Sequence, residues 1–301
     1  MVIGGFLSIP PLFAHILKGG VPLHSICTAE TKNIMTEIHM SSKSEILIGT
    51  SGYSYGDWTG VLYPPGTKSS EYLGVYATEF KVAELNFSYY RIPDNTVTKR
   101  MADVTPSDFL FSVKAHKSLT HEYSLSTLHM EISTFLRGID PLIDAGKLGV
   151  ILLQFPFSFH YNSANRLYLD KLYSCFEGLP LAVEFRNRDW QTESVYEGLR
   201  QRNMSYVNVD EPPLPGLLTA SSIITADTGY IRFHGRNKEN WWKGDNVSRY
   251  DYYYSDKELS DWVPRIQRMQ KQASLILIVF NNHSRGQAVQ NARRLKQMLN
   301  S

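Results

Sequence analysis

Eight short runs of β-branched and aliphatic residues, each followed by a longer stretch with helical spacing, constrain the fold of this chain more than any other feature. The runs are Ile46 to Gly52, Val82 to Tyr90, Phe109 to His116, Leu148 to Phe155, Leu181 to Arg186, Ser205 to Asp210, Tyr230 to His234 and Leu275 to Asn282. Between them, apolar residues recur at three and four, most clearly over Leu125 to Lys147, Ser163 to Leu179, Glu193 to Asn203, Asp256 to Gln272 and Ser284 to Leu299. A shorter helix begins near Ser69, and another near Thr96 follows Pro93 and Asp94, which suit a helix entry. Only the connection between the sixth and seventh runs lacks a clear helix, because Pro212, Pro213 and Pro215 break it. Strands separated by helices pair in parallel through right-handed crossovers, and eight such units close into an α/β fold, a single (β/α)8 TIM-type barrel. The competing arrangement is an open doubly wound sheet, but no GxGxxG follows the first strand and no GxxxxGK[ST] occurs.

With 43% hydrophobic and 20% charged residues, the 301-residue chain can bury a core of that size. Residues 44–301 form the barrel domain on this reading, and residues 1–43 read as a poorly ordered extension, with Met35 and Met40 as alternative starts. The apolar stretch Val2 to Phe13 is too short to span a membrane; it is interrupted by Pro10 and Pro11 and has no Lys or Arg before it, so it fits a secretory signal poorly. Two cysteines, Cys27 and Cys175, make neither a disulfide framework nor a zinc site, so a reducing cytoplasm is the expected compartment. Lys plus Arg number 31 and Asp plus Glu 29, and the resulting charge of +2 gives no general argument for nucleic acid or a membrane as partner.

Side chains two apart on a strand share a face. By that rule Glu84 pairs with Asn86, Ser112 with Lys114 and His116, Glu184 with Arg186, Asn208 with Asp210, and Arg232 with His234. Gln154 ends the fourth strand, and Asn281 and Asn282 end the eighth. All fall late in their strands, where the active sites of such barrels lie. Structural ion pairs, Glu184 with Arg186 or Glu84 with Lys114, are the alternative use of these residues. So many ionisable groups together are costly to desolvate, which favours a solvated, ligand-accepting cavity.

Loop residues divide in the same way. After the first strand, Tyr53, Tyr55 and Trp58 either wall a pocket or pack on neighbouring loops. After the seventh come Arg236, Trp241, Trp242, Arg249 and Tyr250; arginine interleaved with flat rings binds anions and stacks on planar ligands, or forms a lid held by cation–π contacts. The start of the last helix offers backbone N–H groups to an anion, unless Asn281 and Asn282 merely cap it. His121 and His283 lie in mouth loops and are left without a role.

The motifs IGTSGYSYGDW, VAELNFSYY, FSVKAHKSLTH, LLQFP, AVEFRNRDW, YIRFHGR, RYDYYYS and the C-terminal FNN with Asn291 and Ala292, in that order, resemble the YecE-like family known as domain of unknown function 72. The resemblance runs from about Ile46 to near the C-terminus and implies a barrel of this type, but no reaction. One departure is Asn187, where the pattern has histidine.

Three functional readings follow. The first is a metal-independent enzyme that uses no cofactor and acts on a small anionic substrate. In it Lys114, Arg186, Arg232 and Arg249 or Arg236 hold a phosphate or carboxylate, while Glu84, Glu184 or Asp210 moves a proton and Lys114 belongs to the catalytic set. Asn86, His116, Gln154, His234, Tyr250, Asn281, Asn282, Tyr53 and Trp58 complete the binding set. The second gathers one divalent ion on Glu84, Glu184, Asp210 and His234, although the nearby cations compete for those carboxylates. The third is a non-catalytic ligand or nucleic-acid module, which the near-neutral charge disfavours. No oligomeric state is implied.

Overall fold

A computed structural model describes residues 44–245 and 247–300. The reading of residues 1–43 as an extension lies outside the described residues. Eight parallel strands form one closed barrel: β1 Glu45–Ser51, β2 Val82–Leu85, β3 Leu110–Lys114, β4 Leu148–Gln154, β5 Leu181–Glu184, β6 Ser205–Asp210, β7 Thr228–Phe233 and β8 Leu275–Phe280. Each pairs with its neighbours in sequence, and β8 returns to β1 in register from Glu45 opposite Leu275 to Thr50 opposite Phe280, which leaves no sheet edge.

The helices are α1 Tyr72–Ala77, α2 Phe87–Tyr90, α3 Asn95–Val104, α4 Lys117–Thr120, α5 Leu128–Asp144, α6 Ser163–Cys175, α7 Glu193–Arg200, α8 Asp256–Ser260, α9 Val263–Met269 and α10 Gln287–Asn300. Local chemistry sets several starts. Asp94 caps α3 by accepting from the Thr96 N–H at 2.8 Å, and Asn162 caps α6 through Asn165 at 2.9 Å. Ser255 and Glu258 form a reciprocal capping box at α8. The helical pattern expected from Asp256 to Gln272 is divided at Asp261 and Trp262, with the buried Trp262 wedged at the break. In the connection from β6 to β7 no helix forms among the described residues, in line with its three prolines.

One strand is shorter than its sequence suggests. The run from Val82 to Tyr90 leaves the sheet after Leu85 and turns into α2. Ser88 explains the stop: its hydroxyl donates to the carbonyls of Leu85 (2.8 Å) and Lys114 (2.6 Å), pinning the turn onto the end of β3. As a result Tyr89 and Tyr90 stand at the barrel mouth instead of continuing a strand.

Below the mouth the core is largely apolar on both faces of the sheet. Phe109, Phe111, Val150, Ile276 and Leu277 are fully buried, and a Cβ on Gly149 would lie 3.6 Å from the Leu277 side chain. At the mouth, the turn after β7 needs Gly235: its φ of 87° suits glycine, and a Cβ would come within 2.7 Å of Tyr252. The turn aims the Gly235 N–H at the Tyr254 hydroxyl, 2.8 Å away.

Candidate functional site

Glu84, at the end of β2, is the first component. Its two carboxylate oxygens accept from Ser51 Oγ (2.5 Å), the Tyr230 hydroxyl (2.6 Å) and Arg232 Nε and Nη2 (2.8 and 2.6 Å). The Arg232 fork therefore grips Glu84 with two bonds, and its third nitrogen, Nη1, reaches Glu184 Oε2 at 2.5 Å. Arg186 Nε stands 2.5 Å from Glu184 Oε1, and His234 Nε2 stands 3.2 Å from the same atom. Burial alone would raise the Glu184 pKa, but Arg186, Arg232 and His234 outweigh it and hold the group well below the usual carboxylate range. Burial drives His234 the other way, to about 3, assisted by Arg186, so this imidazole is neutral. Asn281 Nδ2 lies 3.1 Å from His234 Nδ1 and donates to it, which places the ring proton on Nε2, facing Glu184.

Above this layer lies a cavity of about 440 Å³. Arg232 forms part of its floor, and Lys114, Arg186, Arg249, Asn86, Gln154 and Asn281 line it. Flat rings close the sides: Tyr55, Tyr89, Tyr90, Phe157, Trp241, Trp242, Tyr250, His121 and His283. Lys114 lies over the Tyr89 ring, with Nζ 4.3 Å from its centre, and makes no ion pair among the described residues. Burial, with Arg232 and Arg186 nearby, pushes its pKa down to about 7, although Glu84 and Glu184 oppose the shift. Arg249 Nε and Asn86 Oδ1 of the wall are buried with no hydrogen-bond partner among the described residues.

The structure thus brings together Glu84, Lys114, Glu184, Arg186, Arg232, His234 and Asn281 at one end of the barrel, with Asn86, Gln154, Arg249 and Tyr250 around them. It does not bring Asp210 there. On β6 the chosen face is the outer one: Asn208 bonds to Ser221 and Ile223 in the following loop, and Asp210 accepts from Arg236 (2.8 and 2.6 Å), Tyr254 (2.8 Å) and Trp262 (2.7 Å). Arg236 is thereby committed to Asp210 and Glu258. The metal quartet of Glu84, Glu184, Asp210 and His234 consequently does not converge, and no group of three or more His, Cys, Asp or Glu among the described residues is placed to hold a metal ion.

Four further expected site residues stand apart from the cavity wall. His116 folds back on Ser118 (2.8 Å) at the start of α4, beyond the end of β3. Tyr53 packs against Tyr76, with ring centres 6.1 Å apart. Trp58 is fully buried and donates to the His283 carbonyl at 2.8 Å, tying the loop after β1 to the loop after β8. Asn282 bonds to the Tyr252 carbonyl and to Asn291 of α10, on the outer face of β8. The backbone N–H of Arg285, just before α10, is taken by Asp57 at 2.7 Å, so that donor is filled from within the protein.

Glu211 is a residue that the sequence reading missed. One position past β6 it turns inward: Oε2 sits 3.8 Å from Arg186 Nη1, and Oε1 accepts from the Leu218 N–H. Burial raises its pKa to about 8, with Arg186 opposing. Continuing the period-two pattern from Val207 and Val209 would have found it. Asn187, the departure from the family pattern, is buried, bonds to the Phe157 carbonyl and lies 3.0 Å from His160 Nδ1, so it holds the loop that presents Phe157.

Fold and site together define a parallel eight-stranded barrel whose mouth carries a guanidinium–carboxylate layer beneath a ring-lined cationic cavity. The chain belongs to the family described as protein of unknown function DUF72, whose model matches residues 47–301. It is 31% identical over 272 residues to the UPF0759 protein YunF of Bacillus subtilis, covering 84% of this chain and 94% of that one. A DUF72 family protein of Thermotoga maritima has a crystal structure similar to this one, with 39% identity, a TM-score of 0.78, and 85% and 100% of the two chains covered. A second, from Enterococcus faecalis, has 28% identity and a TM-score of 0.77, over 85% and 96%. No helix among the described residues is long and apolar enough to cross a membrane.

Proposed function

We propose that the mouth cavity is the active site of an enzyme that binds a small anionic substrate, bearing a phosphate or a carboxylate, and carries out proton-transfer chemistry on it without a metal ion. The observation that carries this reading is the composition of the wall: Lys114, Arg186, Arg232 and Arg249 face the cavity, and no Asp or Glu among the described residues lines it. Glu84 and Glu184 lie beneath, where each oxygen already meets an arginine, a tyrosine or a serine. They neutralise part of the cationic charge and set the arginines in place. The cavity keeps an excess of positive charge and, in Arg249 Nε, a donor without a partner among the described residues, which suits an anion.

The proton-moving role then falls to Lys114. With a pKa near 7 it exchanges a proton readily at neutral pH, whereas Glu184 is held ionised and Glu84 is locked by four bonds. The test is calorimetric titration of inorganic phosphate, and separately of malonate, into the full chain and into Arg249→Gln. One site per chain is expected, weakening as salt is raised from about 50 to about 200 mM and lost or reduced about tenfold in the variant. Absence of binding by both probes, or binding indifferent to salt and to Arg249→Gln, overturns the reading.

A further inference from the structure

The cavity wall lacks the usual nucleophiles. Among its described residues there is no Cys, Ser, Thr, Asp or Glu, and its three guanidiniums do not react as nucleophiles. Its one aliphatic amine is Lys114, carried on the last residue of β3, a rigid position with the side chain directed into the cavity.

The charges around this amine leave it without an ion-pair partner among the described residues. Arg232 takes Glu84 in a two-bond grip and shares Glu184 with Arg186. Three cations therefore face two carboxylates, and both carboxylates are engaged by guanidinium. Two further neighbours are uncharged: the Tyr89 phenol of α2, whose pKa burial raises, and the His121 imidazole after α4, which burial and Lys114 push down to about 4. An ammonium is disfavoured in such a place, and the neutral amine carries the lone pair that attacks carbonyl carbon.

We infer that Lys114 is an imine-forming nucleophile and that the substrate is a small aldehyde or ketone bearing a phosphate or carboxylate. The inference rests on the anion-binding reading above and adds to it the reacting group of the substrate. In the step, the Lys114 nitrogen lone pair forms a bond to the carbonyl carbon and the C=O π pair moves to oxygen. That oxygen takes one proton from the attacking nitrogen and one from water in the open cavity, and leaves as water, so that a protonated imine remains. No electrons are gained or lost, and no oxidant or reductant is needed. Arg186 and Arg249 are placed on the same wall to hold the anionic end while the carbonyl meets Nζ. The resulting iminium withdraws electrons from the adjacent carbon, which makes removal of a proton or cleavage of a C–C bond there the chemistry that follows.

The test uses pyridoxal 5′-phosphate, an aldehyde with a phosphate, added to the full chain, reduced with borohydride and mapped by peptide mass spectrometry. The expected result is one reduced adduct per chain at Lys114, absent from Lys114→Arg, with inorganic phosphate slowing the labelling. The labelling rate should rise with pH through about 7 and then level off. Phosphate-free pyridoxal separates the two claims. Equal labelling of Lys114 by both aldehydes, with no protection by phosphate, keeps the imine and overturns the anion site. Pyridoxal 5′-phosphate bound with the phosphate-like salt dependence but leaving Lys114 unmodified overturns the imine and keeps the anion site. Adducts spread evenly over surface lysines, with no phosphate binding by calorimetry, overturn both.

Discussion

Replacing Arg232 with methionine tests the ion-pair layer most directly. Methionine keeps much of the volume and removes the charge and the three close contacts that the guanidinium makes to Glu84 and Glu184. Glu184 retains Arg186 at 2.5 Å, but Glu84 retains only the Ser51 and Tyr230 hydroxyls. One carboxylate is thus left in the barrel interior without a paired cation, a loss that costs about 3–5 kcal/mol. The deficit depends on pH in a defined direction. An unpaired buried carboxyl binds its proton more tightly in the folded variant than in the unfolded chain, so the variant's stability falls as pH rises above about 4.5. At about 1.4 kcal/mol per pH unit, a deficit of this size develops over roughly two to four units and then flattens. Urea unfolding of wild type and Arg232→Met at pH values near 4.5 and 7.5 measures it. The expected result is a small difference at the acid pH, the full difference at the neutral one, and substantial recovery at neutral pH in Arg232→Met combined with Glu84→Gln. A loss below about 1 kcal/mol at neutral pH, or a loss equal at both pH values, refutes the assignment of Arg232 as the counter-ion of this layer.

Two residues on β5 and its extension should separate folding from binding. Val183 is fully buried, so Val183→Asp should unfold the chain, while Arg186→Ala should remain folded because Glu184 keeps Arg232, and should lose phosphate affinity in calorimetry. Asp210→Asn should cost about 3 kcal/mol in urea unfolding by disrupting the contacts to Arg236, Tyr254 and Trp262, yet leave phosphate affinity in the surviving folded protein unchanged. Glu211→Gln should be close to neutral below pH 5 and raise the melting temperature near pH 8. The wild-type group has a folded pKa of about 8 against an unfolded value of 4.5, so it loses stability across that window, and glutamine does not.

The strand–helix alternation carried the fold because each strand is a separate apolar run and each helix a separate amphipathic one, signals that do not depend on distant contacts. Where the reading failed at β2 and in the region from 256 to 272, the deciding contact was remote: Ser88 bonding to the carbonyl of Lys114, and Trp262 reaching Asp210 across 52 positions. Neither is visible from local propensity.

The site was legible to the extent that strand parity could be assigned. On β2, β3, β5 and β7 the polar face is the inner one, because the outer face must meet a helix and is apolar there. Glu84, Lys114, Glu184, Arg232 and His234 followed from that rule. On β6 both faces carry a polar residue near the end, Asp210 and Glu211, and the one with more polar company in sequence was the wrong one. Asn208 and Asp210 face outward because the connection to β7, broken by prolines, supplies no helix to cover them. The outer surface there is closed instead by a loop and by Trp262, whose N–H groups and side chains need acceptors on the strand. A missing helix in a barrel therefore reverses the usual meaning of a polar strand face. Beside such a gap, the inner face has to be counted from the apolar residues, Val207 and Val209, and the functional candidate is the next residue in their register.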